Sequence, residues 1–239
     1  MTALLRYQTA ILLRSHRWIF PLVAYGLLIA AGAAGSTSLA ETLDWSGAML
    51  VPVVAFLTRG LLTAEPDAAR ACVFAAAGPV RAQLATLIVP LGGGAVLGVA
   101  AAVFDILTAQ AATRGPQSGL AAKLTAAGQH PGIVAGGLLI ALVCLLVGSA
   151  AGALCNPPLL RHRAAAMLST LAAVIAALAA GVSPANAAIS HTLAQTATPL
   201  TANWPGSGPL LGAACLLAVT WTASVIAGTR RDTWSAGAD

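Results

Sequence analysis

Charge is what this sequence has least of. Only 8% of its 239 residues are Asp, Glu, Lys or Arg, against about 25% in an ordinary soluble domain. So few charges cannot coat a water-soluble sphere, and 58% hydrophobic residues is too many for one core under a normal surface. A soluble enzyme, a disordered tail and a disulfide-stapled secreted domain are excluded. The cysteines are few as well. Cys72, Cys144, Cys155 and Cys215 form no CxxC pair and read as buried small hydrophobes, not as metal ligands or disulfide partners. There is no GxxxxGK[ST] loop to cradle phosphates, no HExxH, no GxSxG and no metal-type Cys/His cluster. No cleavable signal peptide is visible, because the first apolar run is long and lacks a cleavage site after it.

What the sequence has in abundance is long apolar runs, each near the roughly 20 residues that cross a bilayer as a helix. They are Trp18–Ala34, Trp45–Ala64, Val80–Leu107, Gly132–Leu154, Ala164–Val182 and Gly208–Gly228. These solid runs lack the polar–apolar alternation of a β-barrel. The predicted fold class is all-α, an integral membrane bundle of six transmembrane helices in a single domain.

The basic residues orient the bundle. With both termini in the cytoplasm, Arg6, Arg14, Arg17, Arg59, Arg70, Arg81, Arg161, Arg163, Arg230 and Arg231 lie on the inner side. Of the 12 Lys and Arg residues, only Arg114 and Lys123 then fall outside. The net charge of +5 therefore reads as a topology signal in a multi-pass cell-membrane protein, and not as a nucleic-acid surface.

Thr2–Arg17 is amphipathic: Leu4, Leu5, Ile11, Leu12 and Leu13 supply apolar surface, and Arg6, Arg14, His16 and Arg17 supply charge. Too polar to span, it is expected to lie among the lipid headgroups. Between spans two and three, Glu65, Pro66 and Asp67 are helix-start signals, and Gly78-Pro79 is a stop. The segment between them makes about three helical turns, too few to cross. It predicts a short helix at the cytoplasmic surface, within residues 65–79, offering Val73 and Phe74 to lipid or to a partner protein. Arg161 and Arg163 after Pro157-Pro158 read as an inner-side anchor. The outer loops are expected to hold short helices around Leu120–Ala127 and Ala185–Gln195, the latter capped by Ser183, with Trp204 as an interface anchor.

Two charges fall inside the spans, Arg59 and Asp105. Both lie near helix ends, so Arg59 is expected to snorkel to the inner headgroups and Asp105 to reach the outer surface. With the membrane centre almost uncharged, a proton- or ion-driven pump is disfavoured. His130, His191 and Asp105 form a weak candidate for a metal or acid–base site. Gly94-x-x-x-Gly98 and Gly148-x-x-x-Gly152 allow close helix approach, within the bundle or at a dimer seam.

This layout resembles the membrane (permease) subunit of ATP-binding cassette exporters of the type-two class. The resemblance rests on an amphipathic N-terminal helix, six spans, and the stretch Glu65–Leu87. That stretch holds an acidic residue after span two, a short helix over Pro66–Ala77, then Gly78-Pro79-Val80-Arg81-Ala82-Gln83-Leu84 leading into span three. LLRYQTAILLRSHRW and ALCNPPLLRHR also look like short, Ala-rich actinobacterial permeases. The chain departs from the pattern in lacking a basic residue a turn into span three. The resemblance implies that the short helix is a coupling helix docking on a separate ATPase chain, with Glu65, Asp67, Arg70, Val73, Phe74 and Arg81 as the coupling residues. It implies a second permease chain, identical or different, and an apolar path for a drug-like, lipid-like or peptide cargo. ATP and Mg would belong to the partner, so this chain would be no enzyme and hold no cofactor or metal of its own. The alternatives are the substrate-binding membrane subunit of an energy-coupling-factor vitamin importer, a membrane enzyme built on His130, His191 and Asp105, and an assembly subunit without a path.

Overall fold

Eight helices carry the architecture in a computed structural model that describes residues 2–16, 18–35, 39–113, 131–154, 163–179, 183–188 and 207–235. They are α1 (Thr2–Arg14), α2 (Ile19–Gly35), α3 (Leu39–Leu62), α4 (Asp67–Ala77), α5 (Pro79–Thr113), α6 (Pro131–Leu154), α7 (Arg163–Ala179) and α8 (Ser207–Ser235). No strand occurs among the described residues. Four stretches are long and apolar enough to cross a membrane: Leu39–Leu62, Val80–Thr108, Pro131–Leu154 and Met167–Ala188. A fifth arises if α1 and α2, bent by 75° at their junction, count as one broken span. Large apolar side chains cover the outside, among them Phe20, Leu27, Val96, Leu168, Leu211 and Val219, all more than 60% exposed. In water such a surface would aggregate, whereas in lipid it is a solvated face.

α3 is the hub and packs against α1, α2, α5, α6 and α7. One of its faces, Val51 and Ala55, joins Ile140, Val143, Cys144, Val147 and Ala151 of α6, Val174 of α7 and Ala213 of α8 in one buried cluster. Its other face, Leu50, Val53, Val54 and Leu57, joins Tyr25 and Ile29 of α2 and Ala101 of α5. Between apolar helices in lipid, association comes from close packing and not from leaving water. The small residues provide it. Leu43, Gly47, Val51 and Ala55 form a stripe every fourth residue on α3, facing Gly137, Ile140, Gly148 and Gly152 of α6. A Cβ on Gly148 would meet the Val51 carbonyl oxygen at 2.6 Å, and one on Gly152 the Ala55 carbonyl oxygen at 2.6 Å. Gly94 of α5 likewise abuts Val54 and Leu145. Both small-residue motifs thus serve seams within the chain, not a dimer seam. α2 is fastened to α3 by Trp45, whose indole N–H donates to the Leu28 carbonyl at 2.9 Å while its ring covers Gly32.

The sequence reading needs correction in three places. The second span begins at Leu39, not Trp45: Glu41 and Asp44 look like loop residues, but acids suit the first turns of a helix. Cys72 and Cys215 are exposed, and only Cys144 among the described cysteines is buried. Leu13 faces outward at 57% exposure. The inward stripe of α1 is instead Leu4, Leu5, Gln8, Ile11 and Leu12, at helical spacing, with Gln8 fully buried in the middle. α1 ends where His16 adopts a left-handed φ of 53°. Residues 184–188 are helical, and Asn186 there donates to the Leu178 carbonyl at 2.7 Å. Leu120–Ala127, His130, Cys155, Arg161, His162, His191 and Trp204 lie outside the described residues.

Candidate functional site

The end of the bundle that carries α4 gathers most of the coupling residues expected from the sequence. α3 runs out at Leu62, and a short turn leads through Glu65 to Pro66, whose extended φ of −61° and ψ of 146° launch α4 without a side-chain cap. α4 closes when the Gly78 N–H donates to the Phe74 carbonyl at 2.9 Å. Gly78 sits at φ 82° and ψ 150°, a conformation essentially reserved for glycine. Pro79 then starts α5, where its missing N–H costs nothing.

α4 is tied to its neighbours at several points. Arg70 reaches back, and its Nη2 donates to the Leu62 carbonyl at 2.5 Å. This cation sits on the last turn of α3, where the helix dipole favours it. Glu65, 8% exposed, accepts from Gln8 Nε2 of α1 at 3.4 Å and bonds the Tyr7 hydroxyl. Partial burial, and after it the adjacent Glu65 carboxylate, push the Tyr7 phenol above its usual range. One oxygen of each partner, Gln8 Oε1 and Glu65 Oε1, is enclosed with no hydrogen-bond partner. Glu65 is therefore an internal clasp between α1 and the α3–α4 turn.

Val73 and Phe74 are half-buried on the side of α4 that turns toward the bundle. The exposed face is made of small residues, Ala68, Ala71, Cys72, Ala75 and Ala76, and Arg81 is exposed just beyond the Gly78 turn. Asp67 opens α4, and its side chain lies outside the described residues. The docking surface that α4 offers is thus flatter than Val73 and Phe74 alone would make it.

Neither in-span charge reaches a surface. Arg59 is 8% exposed and donates from Nη1 to the Thr170 hydroxyl of α7 at 3.3 Å. Asp105, 1% exposed, lies 26 residues after Pro79, about 39 Å along α5 and so at the far end from α4. Around it stand Tyr25 of α2, Asp44 and Ser46 of α3 and Cys144 of α6, all buried. The Tyr25 hydroxyl donates to the Ser46 carbonyl at 3.2 Å. Snorkelling fails because both charges lie on faces that α3 and α5 turn toward other helices. No group of three or more His, Cys, Asp or Glu that could hold a metal occurs among the described residues.

The chain matches no family model, no curated protein and no solved structure. Its function is argued from this geometry alone. The sequence reading missed Gln8, Tyr7, Asp44 and Ser46. A signal existed for Gln8, the one strongly polar residue centred in the apolar stripe of α1. None existed for Ser46, which matters only through the helix opposite it.

Proposed function

We propose that this chain is the membrane-spanning permease subunit of an ATP-binding cassette transporter, of the type-two exporter class. In this reading α2, α3, α5, α6, α7 and α8 are six spans, α1 lies at the cytoplasmic interface, and both termini are cytoplasmic. α4 is the coupling helix. It docks on a separate ATPase chain that binds ATP and Mg, and a second permease chain, identical or different, completes the path. The cargo is hydrophobic or amphipathic.

The observation that carries this reading is the fastening of α4. A helix that transmits work must be exposed on one face and rigidly joined on the other. α4 shows small residues outward, while Arg70 grips the end of α3 and Gly78 leads directly into α5. The adjoining Glu65 engages α1. A push on α4 is therefore delivered to three helices at once, α1, α3 and α5.

The test is copurification of the full chain with the ATPase encoded beside it. Ala75→Trp places a bulky ring on the outward face without touching the bundle. It should reduce transport-coupled ATP hydrolysis at least tenfold while leaving the protein inserted. Charge reversal at Arg70 and a bulky polar residue at Phe74 should uncouple hydrolysis from transport too. Unchanged coupling in all three variants argues against the role, and a tightly bound vitamin-like ligand in the purified chain would favour the importer subunit instead.

Orientation has its own check in Cys72, exposed on α4. In Cys155→Ser/Cys215→Ser protein, a membrane-impermeant maleimide should label Cys72 in inverted vesicles and spare it in intact cells. Labelling from outside would reverse the topology.

A further inference from the structure

The polar cluster at the end away from α4 has no part in docking an ATPase, and its chemistry is the same whether or not α4 couples to one. We propose that Asp105 is a proton-binding site: it stands in the bundle as a neutral carboxylic acid donating to the Ser46 hydroxyl oxygen, and its proton fastens α5 to α3.

The argument is a count of hydrogens. The Ser46 hydroxyl has one, and donates it to the Leu43 carbonyl at 3.1 Å. The Asp105 carboxyl also bonds the Ser46 side chain. An ionised carboxylate can only accept, so the two contacts coexist when the shared hydrogen belongs to Asp105. Tyr25, the neighbouring O–H, uses its hydrogen on the Ser46 backbone carbonyl and has none left for the acid. Asp105 Oδ2 is enclosed and without a hydrogen-bond partner. In a carboxylate that oxygen would carry part of a full charge in an apolar bundle, at high cost. In a neutral acid it is a carbonyl oxygen, whose lost hydrogen bond costs far less.

The surrounding groups give the anion no help. Facing this end are Tyr25 from α2, Asp44 from α3 and Cys144 from α6, with Glu41 exposed a turn before Asp44; none is a cation, and the acids oppose a second negative charge. Arg59, the cation of α3, lies 15 residues away, about 22 Å along the helix, and bonds Thr170. α1 and α4, with Arg6, Arg14 and Arg70, meet α5 at its other end. On α8, which also packs on α5, Cys215 is exposed. Arg230, Arg231 and Asp232 lie at the opposite end of that helix from its start at Ser207.

The site gives the bundle a pH-operated fastening. With the proton bound, α3 and α5 are joined; when it leaves, Ser46 cannot satisfy both acceptors and the contact opens. Infrared spectroscopy of the full-length protein in lipid nanodiscs tests this. At neutral pH the wild type should show a deuteration-sensitive carboxylic acid C=O band that is lost in Asp105→Asn and moves to higher frequency in Ser46→Ala, where the acceptor is gone. Asp105→Asn supplies an N–H donor in place of the acid and should keep the fold. A second readout is stability against pH. Because the folded form is the one holding the proton, wild-type stability should fall as pH rises past the loss of that proton, and Asp105→Asn should be insensitive there. Absence at neutral pH of any acid band that depends on Asp105, or a wild-type stability profile parallel to that of Asp105→Asn, overturns the proposal.

Discussion

Gly148→Leu should unseat α6 from α3 and abolish a monodisperse protein. A Cβ at Gly148 would meet the Val51 carbonyl oxygen at 2.6 Å and the Val51 Cα at 3.1 Å. Backbone atoms in the middle of a helix cannot swing aside as a side-chain tip can. The whole of α6 would have to retreat from its most extensive partner, also opening the cluster shared with Val174 and Ala213. Overpacking a tight interior costs about 1–3 kcal/mol when neighbours adjust, and this seam allows little adjustment, so a loss at or above ~3 kcal/mol is expected. The control is on the same helix: Gly136 has nothing within 4 Å of its would-be Cβ, and Gly136→Leu adds the same atoms in open space. Gel filtration and thermal unfolding in detergent compare the two. Similar behaviour of both variants would remove Gly148 as the seat of the α3–α6 seam.

Gln8→Leu should detach α1 from the α3–α4 turn, and Glu65→Leu should partly undo the damage. Gln8 Nε2 donates to Glu65 Oε2 at 3.4 Å with both residues buried. Losing the donor leaves the Glu65 carboxyl enclosed with only Tyr7 to bond it. The cost of stranding a buried polar group is about 1–3 kcal/mol. Replacing both partners by apolar groups of similar size is nearly neutral in comparable cases. The double-mutant cycle should therefore show a coupling of roughly 0.5–3 kcal/mol. Limited proteolysis within α1 and denaturant unfolding would measure it. Strictly additive effects would mean that the clasp contributes nothing.

The sequence made the spans legible because hydropathy is a property of composition. The expected segments Val80–Leu107 and Gly132–Leu154 lie close to the helices α5 (Pro79–Thr113) and α6 (Pro131–Leu154). α4 was legible because its signals are local: Glu65-Pro66-Asp67 at one end, Gly78-Pro79 at the other. What composition does not carry is which face of a helix a residue occupies. Arg59 and Asp105 sit near helix ends in the sequence, and a residue near an end can reach water if its face is free. Theirs are not. Gln8 shows the converse error. It reads as a solvated side chain on an interfacial helix, yet its position between Leu4, Leu5, Ile11 and Leu12 turns it inward. The Asp105–Ser46 contact joins residues on separate helices, and only tertiary structure brings them together.

Pro52 in α3 and Pro90 in α5 have a mechanical consequence. Each ring lacks the N–H that would have met the carbonyl four residues earlier, Ala48 in one helix and Thr86 in the other. Each long helix is thus two stiff segments sharing a weakened joint partway along. A displacement applied near Gly78 travels as far as Pro90 as nearly rigid motion and continues beyond it with a change of angle. The two extremities of the molecule are geared to each other by flexion, so their movements need be equal in neither size nor direction.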